Sequence, residues 1–244
     1  MGLTPAPSPA DHPGPPDAGP PDVGRLLTRP GAGLLLDLDG TLVDSEPVHR
    51  EAFRAYFAQR DWPVDDDVVA QFAGRRAHEV FAALDGPWRG EDPHRLTAGV
   101  VAALGTATAE PVLVPGAAQL LAACTRTGLA VAVVTSAHRR WAADVVRRLG
   151  VDPDALPMVT ADECRHGKPD PEPYRRGAQR LGLDPAGLVA AEDTPAGIAS
   201  ARAAGVGRVL GLTTTLAADR LRDAGAHVTA PDLRALARAV TARG

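Results

Sequence analysis

Lysine is nearly absent from this chain: of its 26 basic residues, only Lys168 is a lysine. Cysteine is also scarce, since Cys124 and Cys164 are the only two, so we expect no disulfide framework and a reducing, cytoplasmic location. The formal net charge of −4 argues against a nucleic-acid partner. No apolar run approaches the length of a membrane span, and the N-terminal residues lack the layout of a secretory signal.

The composition is otherwise that of a globular protein with a proper core. Hydrophobic residues make up 45% of the 244 residues and charged residues 23%. Residues 1–30 differ, because they contain nine prolines and almost no large apolar side chains. We therefore predict a disordered tail over residues 1–30.

From Gly33 onward, strand and helix patterns alternate. "GLLLDLD" reads as a buried strand, and after residue 112 helical and strand patterns follow one another to the end of the chain. This rhythm predicts an α/β fold with a doubly wound, Rossmann-like parallel sheet, formed by residues 31–45 and 112–244. Residues 46–111 have only helical periodicity, which predicts a small helical cap domain inserted after the first strand.

Acidic residues follow two of the predicted strands. Asp37 and Asp39 end the first strand, and Glu192 and Asp193 end "LVAAED". Residues two apart on a strand point the same way, so Asp37 and Asp39 can reach one point. Helix caps could explain either pair alone. Two acidic strand ends at one edge of the sheet are harder to explain in that way, because ligands of such sheets bind beyond the carboxyl ends.

Two further stretches lie at the same predicted edge. Thr135 and Ser136 follow the strand "LAVAVV", where hydroxyls and helix N–H groups suit an anion, although an ordinary N-cap is the simpler interpretation. Lys168 precedes the helix that starts near Asp170. A single lysine in an arginine-rich chain indicates a place where a compact ammonium is needed.

The charges at this edge do not balance. The four acids bring four negative charges and Lys168 returns one positive charge. A hard divalent cation with oxygen ligands would relieve the deficit, and Mg²⁺ is the natural choice because it prefers carboxylates, water and phosphate. The sequence therefore predicts a Mg²⁺ site that receives a phosphoryl group.

These motifs resemble those of the haloacid dehalogenase superfamily, in the branch with a helical cap. "DLDGTLVDSEP", "VVTS", "GKPDPEPY" and "EDTPAGI" match its four motifs in order, within residues 34–204. The branch includes sugar and polyol phosphatases, phosphoglycolate phosphatases and β-phosphoglucomutases. The second aspartate, Asp39, argues against dehalogenation, since a halide leaving group needs no acid.

The resemblance implies a role for each matched residue. Asp37 would be the nucleophile that forms an aspartyl-phosphate, and Asp39 the general acid and then the base. Lys168 would stabilise charge on the phosphoryl group. The other implied contacts are to phosphate, by Thr135 or Ser136, and to Mg²⁺, by Asp37, the Asp39 carbonyl, Asp193 and nearby Glu192.

Substrate choice would belong to the cap. Arg75 and Arg76 lie at the position of the family's specificity loop, and one of them is expected to contact a sugar hydroxyl or a second anion. A solvated arginine at a helix start is an equally good interpretation of each. His49 lies near the predicted hinge, where it could position a leaving group or be merely structural.

The expected function is a monomeric, Mg²⁺-dependent phosphatase that acts on a small phosphorylated sugar or polyol. The alternatives are a phosphomutase of the β-phosphoglucomutase type, a phosphoglycolate-type phosphatase and a catalytically silent binding module. β-Phosphoglucomutase uses a cap lysine, and residues 46–111 contain none, which favours hydrolysis. The four intact motifs argue against a silent module.

Overall fold

The computed structural model describes residues 20–243. Six strands form one parallel sheet in the order β5-β4-β1-β6-β7-β8. Each strand is paired in parallel with its neighbours, so the predicted doubly wound sheet is confirmed. The strands are β1 (Gly33–Leu36), β4 (Ala130–Val134), β5 (Met158–Val159), β6 (Leu188–Glu192), β7 (Arg208–Leu212) and β8 (Val228–Ala230).

Helices cover both faces of this sheet because its strands are apolar on both faces. Leu34 and Leu36 of β1 belong to one buried cluster, and Leu35, which points the other way, belongs to a second. The helices of this layered unit are α1 (Pro20–Leu27), α6 (Ala117–Thr127), α7 (Arg139–Arg148), α8 (Glu172–Leu181), α9 (Pro195–Ala203), α10 (Ala218–Asp223) and α11 (Arg234–Thr241), with short 3-10 turns at Ala161–Glu163 and Pro185–Gly187.

A helical unit interrupts the sheet after its first strand. It contains α2 (Glu46–Gln59), α3 (Asp66–Val69), a 3-10 turn at Ala70–Phe72, α4 (Ala77–Ala83) and α5 (Pro93–Leu104). Its aromatic residues pack on one another in a separate cluster; Phe57 and Trp88, for example, stack at 5.5 Å. Two short antiparallel strands, β2 (Val43–Asp44) and β3 (Val112–Leu113), carry the chain out of the sheet and back.

The N-terminal prediction needs a correction. Residues 1–19 lie outside the described part of the chain, but α1 is a helix where we predicted a disordered tail up to residue 30. Val23 and Leu27 are buried in the larger core cluster. The helix forms because its apolar residues recur at helical spacing, and its two prolines occupy the first turn, where a missing N–H is tolerated.

None of the helices between residues 20 and 243 is both long and apolar enough to cross a membrane.

Candidate active site

The carboxyl ends of β1, β4 and β6 bring the motif residues to one edge of the sheet. β1 lies between β4 and β6, so the chain leaves β1 on one side for β4 and returns on the other side for β6. This reversal is the switch point at which open α/β sheets bind ligands. Asp37, Glu192 and Asp193 have carboxylate oxygens within 4.8 Å of one another there, and all three are buried.

Lys168 connects two of these acids. Its ammonium lies 2.5 Å from Asp37 Oδ1 and 2.5 Å from Glu192 Oε1, and only 1% of its side chain is exposed. Burial alone would lower the Lys168 pKa, but the two carboxylates outweigh it and the pKa is raised. The ammonium is therefore charged at all ordinary pH values.

Glu192 accepts hydrogen bonds from several donors. Its Oε1 accepts hydrogen bonds from Lys168 and from the Tyr174 hydroxyl at 2.9 Å. Its Oε2 accepts from the backbone N–H groups of Asp193 and Thr194 and from the Thr194 hydroxyl. The two oxygens of Glu192 thus hold Lys168 and the start of α9, and Glu192 also lies in the acidic group with Asp37 and Asp193 that could hold a metal ion.

Asp193, in contrast, has one carboxylate oxygen that accepts no hydrogen bond from the described residues. Its Oδ2 accepts from the Thr215 hydroxyl, whereas its buried Oδ1 has no hydrogen-bond partner among the described residues. An unsatisfied buried carboxylate oxygen is costly, and a cation would satisfy it. The turn at Gly40, at φ 79°, packs so closely against Asp193 that a Cβ at position 40 would lie 1.9 Å from Asp193 Oδ2. Because Asp193 Oδ1 lacks a partner and Asp37 lies close to it, the site fits Mg²⁺, with Asp37 and Asp193 as carboxylate ligands.

Burial and the neighbouring acids raise the pKa values of Asp37 and Asp193. Burial raises the pKa of Asp37 to about 8 even though Lys168 opposes the shift, and Glu192 adds to it. Burial, together with Asp37 and Glu192, raises the pKa of Asp193 well above its usual value. The raised pKa values of Asp37 and Asp193 mean that these two acids bind protons more readily than exposed aspartates do, and a second cation beside them would oppose that shift.

Asp39 accepts hydrogen bonds from donors that do not contact the other acids. Its Oδ1 accepts from Ser45 Oγ at 2.6 Å and from Trp141 Nε1 at 2.9 Å. No described residue donates a hydrogen bond to Oδ2. Trp141 was not among the residues expected at the site, because an aromatic residue at the third position of an amphipathic helix is normally a core residue.

Thr135 and Ser136 lie at the end of β4, as expected for that strand. Thr135 Oγ1 accepts from the Ala137 N–H at 3.0 Å, so its hydroxyl hydrogen is free for a further acceptor. Ser136 Oγ donates to the carbonyl of Gly74, in the helical unit, at 3.0 Å. Ser136 therefore joins the sheet edge to the specificity loop.

The two arginines of that loop have different surroundings. Arg76 is only 7% exposed, and its Nη2 donates to the carbonyls of Ala161 and Cys164 at 3.0 and 3.1 Å. Our expectation of a substrate-contacting or solvated Arg76 is therefore corrected, because the guanidinium holds the loop that precedes Lys168. Arg75 is half-buried, and its Nε has no hydrogen-bond partner among the described residues.

Glu79 completes this connection between the helical unit and the sheet. Its Oε1 accepts from the Gly167 N–H at 2.9 Å and lies 3.3 Å from Arg76 Nη1. Glu79 thus binds the residue next to Lys168, and Arg76 binds the loop before it, although both residues belong to the helical unit. His49 is half-buried in the first turn of α2, four residues after Ser45.

Comparison with known proteins identifies the family. A model of the haloacid dehalogenase-like hydrolases matches residues 32–205. The chain belongs to this family of hydrolases. The match covers β1, the helical unit and β4 through α9, which together carry every site residue described above except Thr215.

Individual relatives agree with this assignment. Validoxylamine A 7'-phosphate phosphatase of Streptomyces hygroscopicus subsp. limoneus is 39% identical over 78% of this chain and 89% of its own length. Hexitol phosphatase A of Escherichia coli (strain K12) is 35% identical over 71% and 79%. The crystal structure of a hydrolase from Pseudomonas syringae superposes with a TM-score of 0.77 at 22% identity, over 85% of this chain and 96% of that one, and shows the shared fold.

Proposed function

We propose that this hydrolase is a Mg²⁺-dependent phosphatase that removes the phosphate from a small phosphorylated sugar or polyol through an aspartyl-phosphate on Asp37. The observation that carries the proposal is the buried Asp37–Lys168 pair at 2.5 Å, with the unsatisfied Asp193 oxygen beside it. A nucleophile, a fixed positive charge and a vacant oxygen ligand are the parts that phosphoryl transfer requires.

In the first step, a carboxylate oxygen of Asp37 attacks phosphorus and the bond from phosphorus to the substrate oxygen breaks. Lys168 occupies Oδ1, which leaves Oδ2 of Asp37 free of any hydrogen bond from the described residues. Asp39 gives its proton to the departing alcohol, so that the alcohol leaves as a neutral molecule. The products of this step are the aspartyl-phosphate and the free alcohol.

In the second step, Asp39 accepts a proton from water as the water oxygen attacks phosphorus. The bond between phosphorus and Asp37 breaks, phosphate leaves and Asp39 is again protonated. Thr135, with its free hydroxyl hydrogen, would bind the phosphate, or Ser136 would do so through its backbone N–H, since its hydroxyl donates to Gly74. Mg²⁺, held by Asp37, Asp193 and the Asp39 carbonyl, would neutralise charge on the phosphoryl oxygens when bound.

The substrate class rests on the relatives and on the helical unit. The two relatives described above are named as phosphatases, one for validoxylamine A 7'-phosphate and one for a hexitol. Arg75, which faces no described acceptor through its Nε, is proposed to contact a hydroxyl or anionic group of the substrate. We further propose a cytoplasmic monomer, with the helical unit as a cap that sets specificity.

A screen of phosphate esters tests the proposal. We expect release of inorganic phosphate from hexitol or other polyol phosphates in the presence of Mg²⁺, with faster turnover than from phosphoglycolate. Conversion of glucose 1-phosphate to glucose 6-phosphate would instead identify a phosphomutase. Absence of both activities across a broad panel would contradict an enzymatic role.

A further inference from the structure

A tryptophan holds the aspartate that is proposed to act as acid and base. Trp141 lies in the first turn of α7, and its indole N–H points at Asp39 Oδ1 from 2.9 Å away. Ser45, six residues after Asp39 in the chain, donates to the same oxygen at 2.6 Å. Two donors that meet at one oxygen fix the rotation of a carboxyl group, which is otherwise soft about its last torsion.

The fixed rotation has a consequence for proton transfer. Because both donors bind Oδ1, Oδ2 is the oxygen of Asp39 that faces no described donor and is open to exchange a proton with the substrate. We propose that Trp141 is a positioning residue that keeps Oδ2 of Asp39 turned toward the leaving-group oxygen of the substrate. This inference rests on the proposed phosphatase function, in which Asp39 protonates the departing alcohol.

Core packing alone does not account for the contact. The ring of Trp141 is only partly buried and packs at the margin of the larger hydrophobic cluster, so its N–H could have been left to water. The other two tryptophans, Trp62 and Trp88, lie in the aromatic cluster of the helical unit. The N–H of Trp88 bonds the Leu84 carbonyl within that unit, far from any proposed catalytic group.

The dependence on the leaving group separates positioning from packing. An alkyl alcohol needs a proton to leave, whereas p-nitrophenolate leaves as a stable anion. The value of kcat/KM reports steps up to departure of the alcohol, so it is sensitive to the acid only for alkyl esters. Since general acids contribute about 10²–10⁴-fold, we expect Trp141→Phe to lower kcat/KM for an alkyl phosphate such as glycerol phosphate about 10- to 100-fold. For p-nitrophenyl phosphate we expect less than about a threefold change.

Two variants control this experiment. Trp88→Phe removes a comparable indole hydrogen bond from the helical unit and should show no dependence on the leaving group. Trp141→His keeps a donor, because imidazole Nε2 occupies the ring position that corresponds to indole Nε1, and it should restore much of the alkyl-ester activity. Trp141→Leu, which also lacks a donor, replaces Trp141→Phe if the latter fails to give the wild-type circular dichroism spectrum.

The outcomes distinguish this inference from the function on which it rests. A selective loss on alkyl esters in Trp141→Phe, with rescue by Trp141→His, supports the positioning role. Equal losses on both esters, or no loss on either, overturn it in favour of packing. If Asp39→Asn shows the leaving-group dependence and Trp141→Phe does not, only the role of Trp141 fails. If wild type hydrolyses no phosphate ester, the proposed function and this inference fail together.

Discussion

The ammonium of Lys168 lies 2.5 Å from the carboxylate of Asp37, although 131 residues separate them in the chain. The only lysine of the protein is thus also one of its largest fully buried side chains. A buried ammonium between two carboxylates fills a narrow slot that a planar guanidinium does not match. Because the chain uses arginine at every other basic position, replacing Lys168 with arginine is an informative test of the site.

Lys168→Arg is expected to lose nearly all activity even though it conserves charge. The larger guanidinium would displace Asp37 or Glu192, and misplacing reacting groups by about 1 Å can cost about 10²-fold. The measurement is kcat/KM with p-nitrophenyl phosphate and a polyol phosphate, with Lys168→Met as the matched variant that removes the charge. Wild-type-like activity in Lys168→Arg would show that the slot imposes no such restriction.

The two arginines of the specificity loop should give different results. Arg76→Ala removes hydrogen bonds to the carbonyls of Ala161 and Cys164, so we expect a lower melting temperature and a similar loss of kcat/KM on every substrate. Arg75→Ala should leave the melting temperature nearly unchanged and alter kcat/KM unequally between polyol phosphates. The small ester p-nitrophenyl phosphate should respond little to Arg75→Ala. A uniform loss in Arg75→Ala would assign that residue to the fold as well.

The architecture could be predicted from the sequence because it depends on periodicity and on topology. Parallel strands place their carboxyl ends at one edge of the sheet, so the meeting of Asp37 and Asp193 could be predicted from the strand pattern. Lys168 lies in the loop between β5 and α8, so its position beside Asp37 was an expectation from the family resemblance. The helix α1 was missed because nine prolines in the first 30 residues dominated a short amphipathic pattern.

The finer assignments depend on side-chain directions that periodicity does not determine. Glu192 was expected near the metal, and it lies with Asp37 and Asp193, but its hydrogen bonds from Lys168 and Tyr174 could not be predicted from the sequence. Arg76 was expected at the substrate, but it crosses to the carbonyls before Lys168. Both cases concern long side chains at the end of a strand or the start of a helix, where a single torsion changes the hydrogen-bond partner.

Metal exchange should separate Mg²⁺ from Ca²⁺. Activity should be lost after EDTA treatment, return with Mg²⁺ and fail to return with Ca²⁺. Mg²⁺ holds a near-octahedral shell at about 2.0–2.1 Å, whereas Ca²⁺ takes more ligands at longer distances. The larger shell would engage both oxygens of Asp37 and prevent attack on phosphorus, so Ca²⁺ should compete with Mg²⁺. Full turnover without any divalent ion would contradict the claim that the excess negative charge of the site requires a metal.

The metal-free protein should become less stable as the pH rises. Burial raises the pKa of Asp37 to about 8 from 3.8, so between these values the folded state holds a proton that the unfolded state releases. The free energy of unfolding therefore falls as the pH rises through this window, and a divalent cation can take the place of the lost proton.

Thermal unfolding with EDTA or Mg²⁺ checks this expectation. The increase in melting temperature caused by Mg²⁺ should be larger at about pH 8.5 than at about pH 5.5. Asp37→Asn, which cannot ionise at that position, serves as the control and should show a weaker pH dependence. An equal increase at both pH values in the wild-type protein would be evidence against competition between protons and Mg²⁺ for the buried acids.

The most direct test of the account is to trap phosphate on Asp37. In Asp39→Asn, p-nitrophenyl phosphate can still phosphorylate Asp37 because its leaving group needs no acid, but hydrolysis of the intermediate lacks its base. We expect a burst of nitrophenol that is roughly stoichiometric with the protein. Borohydride reduction and peptide mass spectrometry should then find homoserine at position 37, and Asp39→Asn combined with Asp37→Asn should show neither. A burst with an unmodified Asp37, or a phosphorylated group elsewhere, would contradict the covalent mechanism.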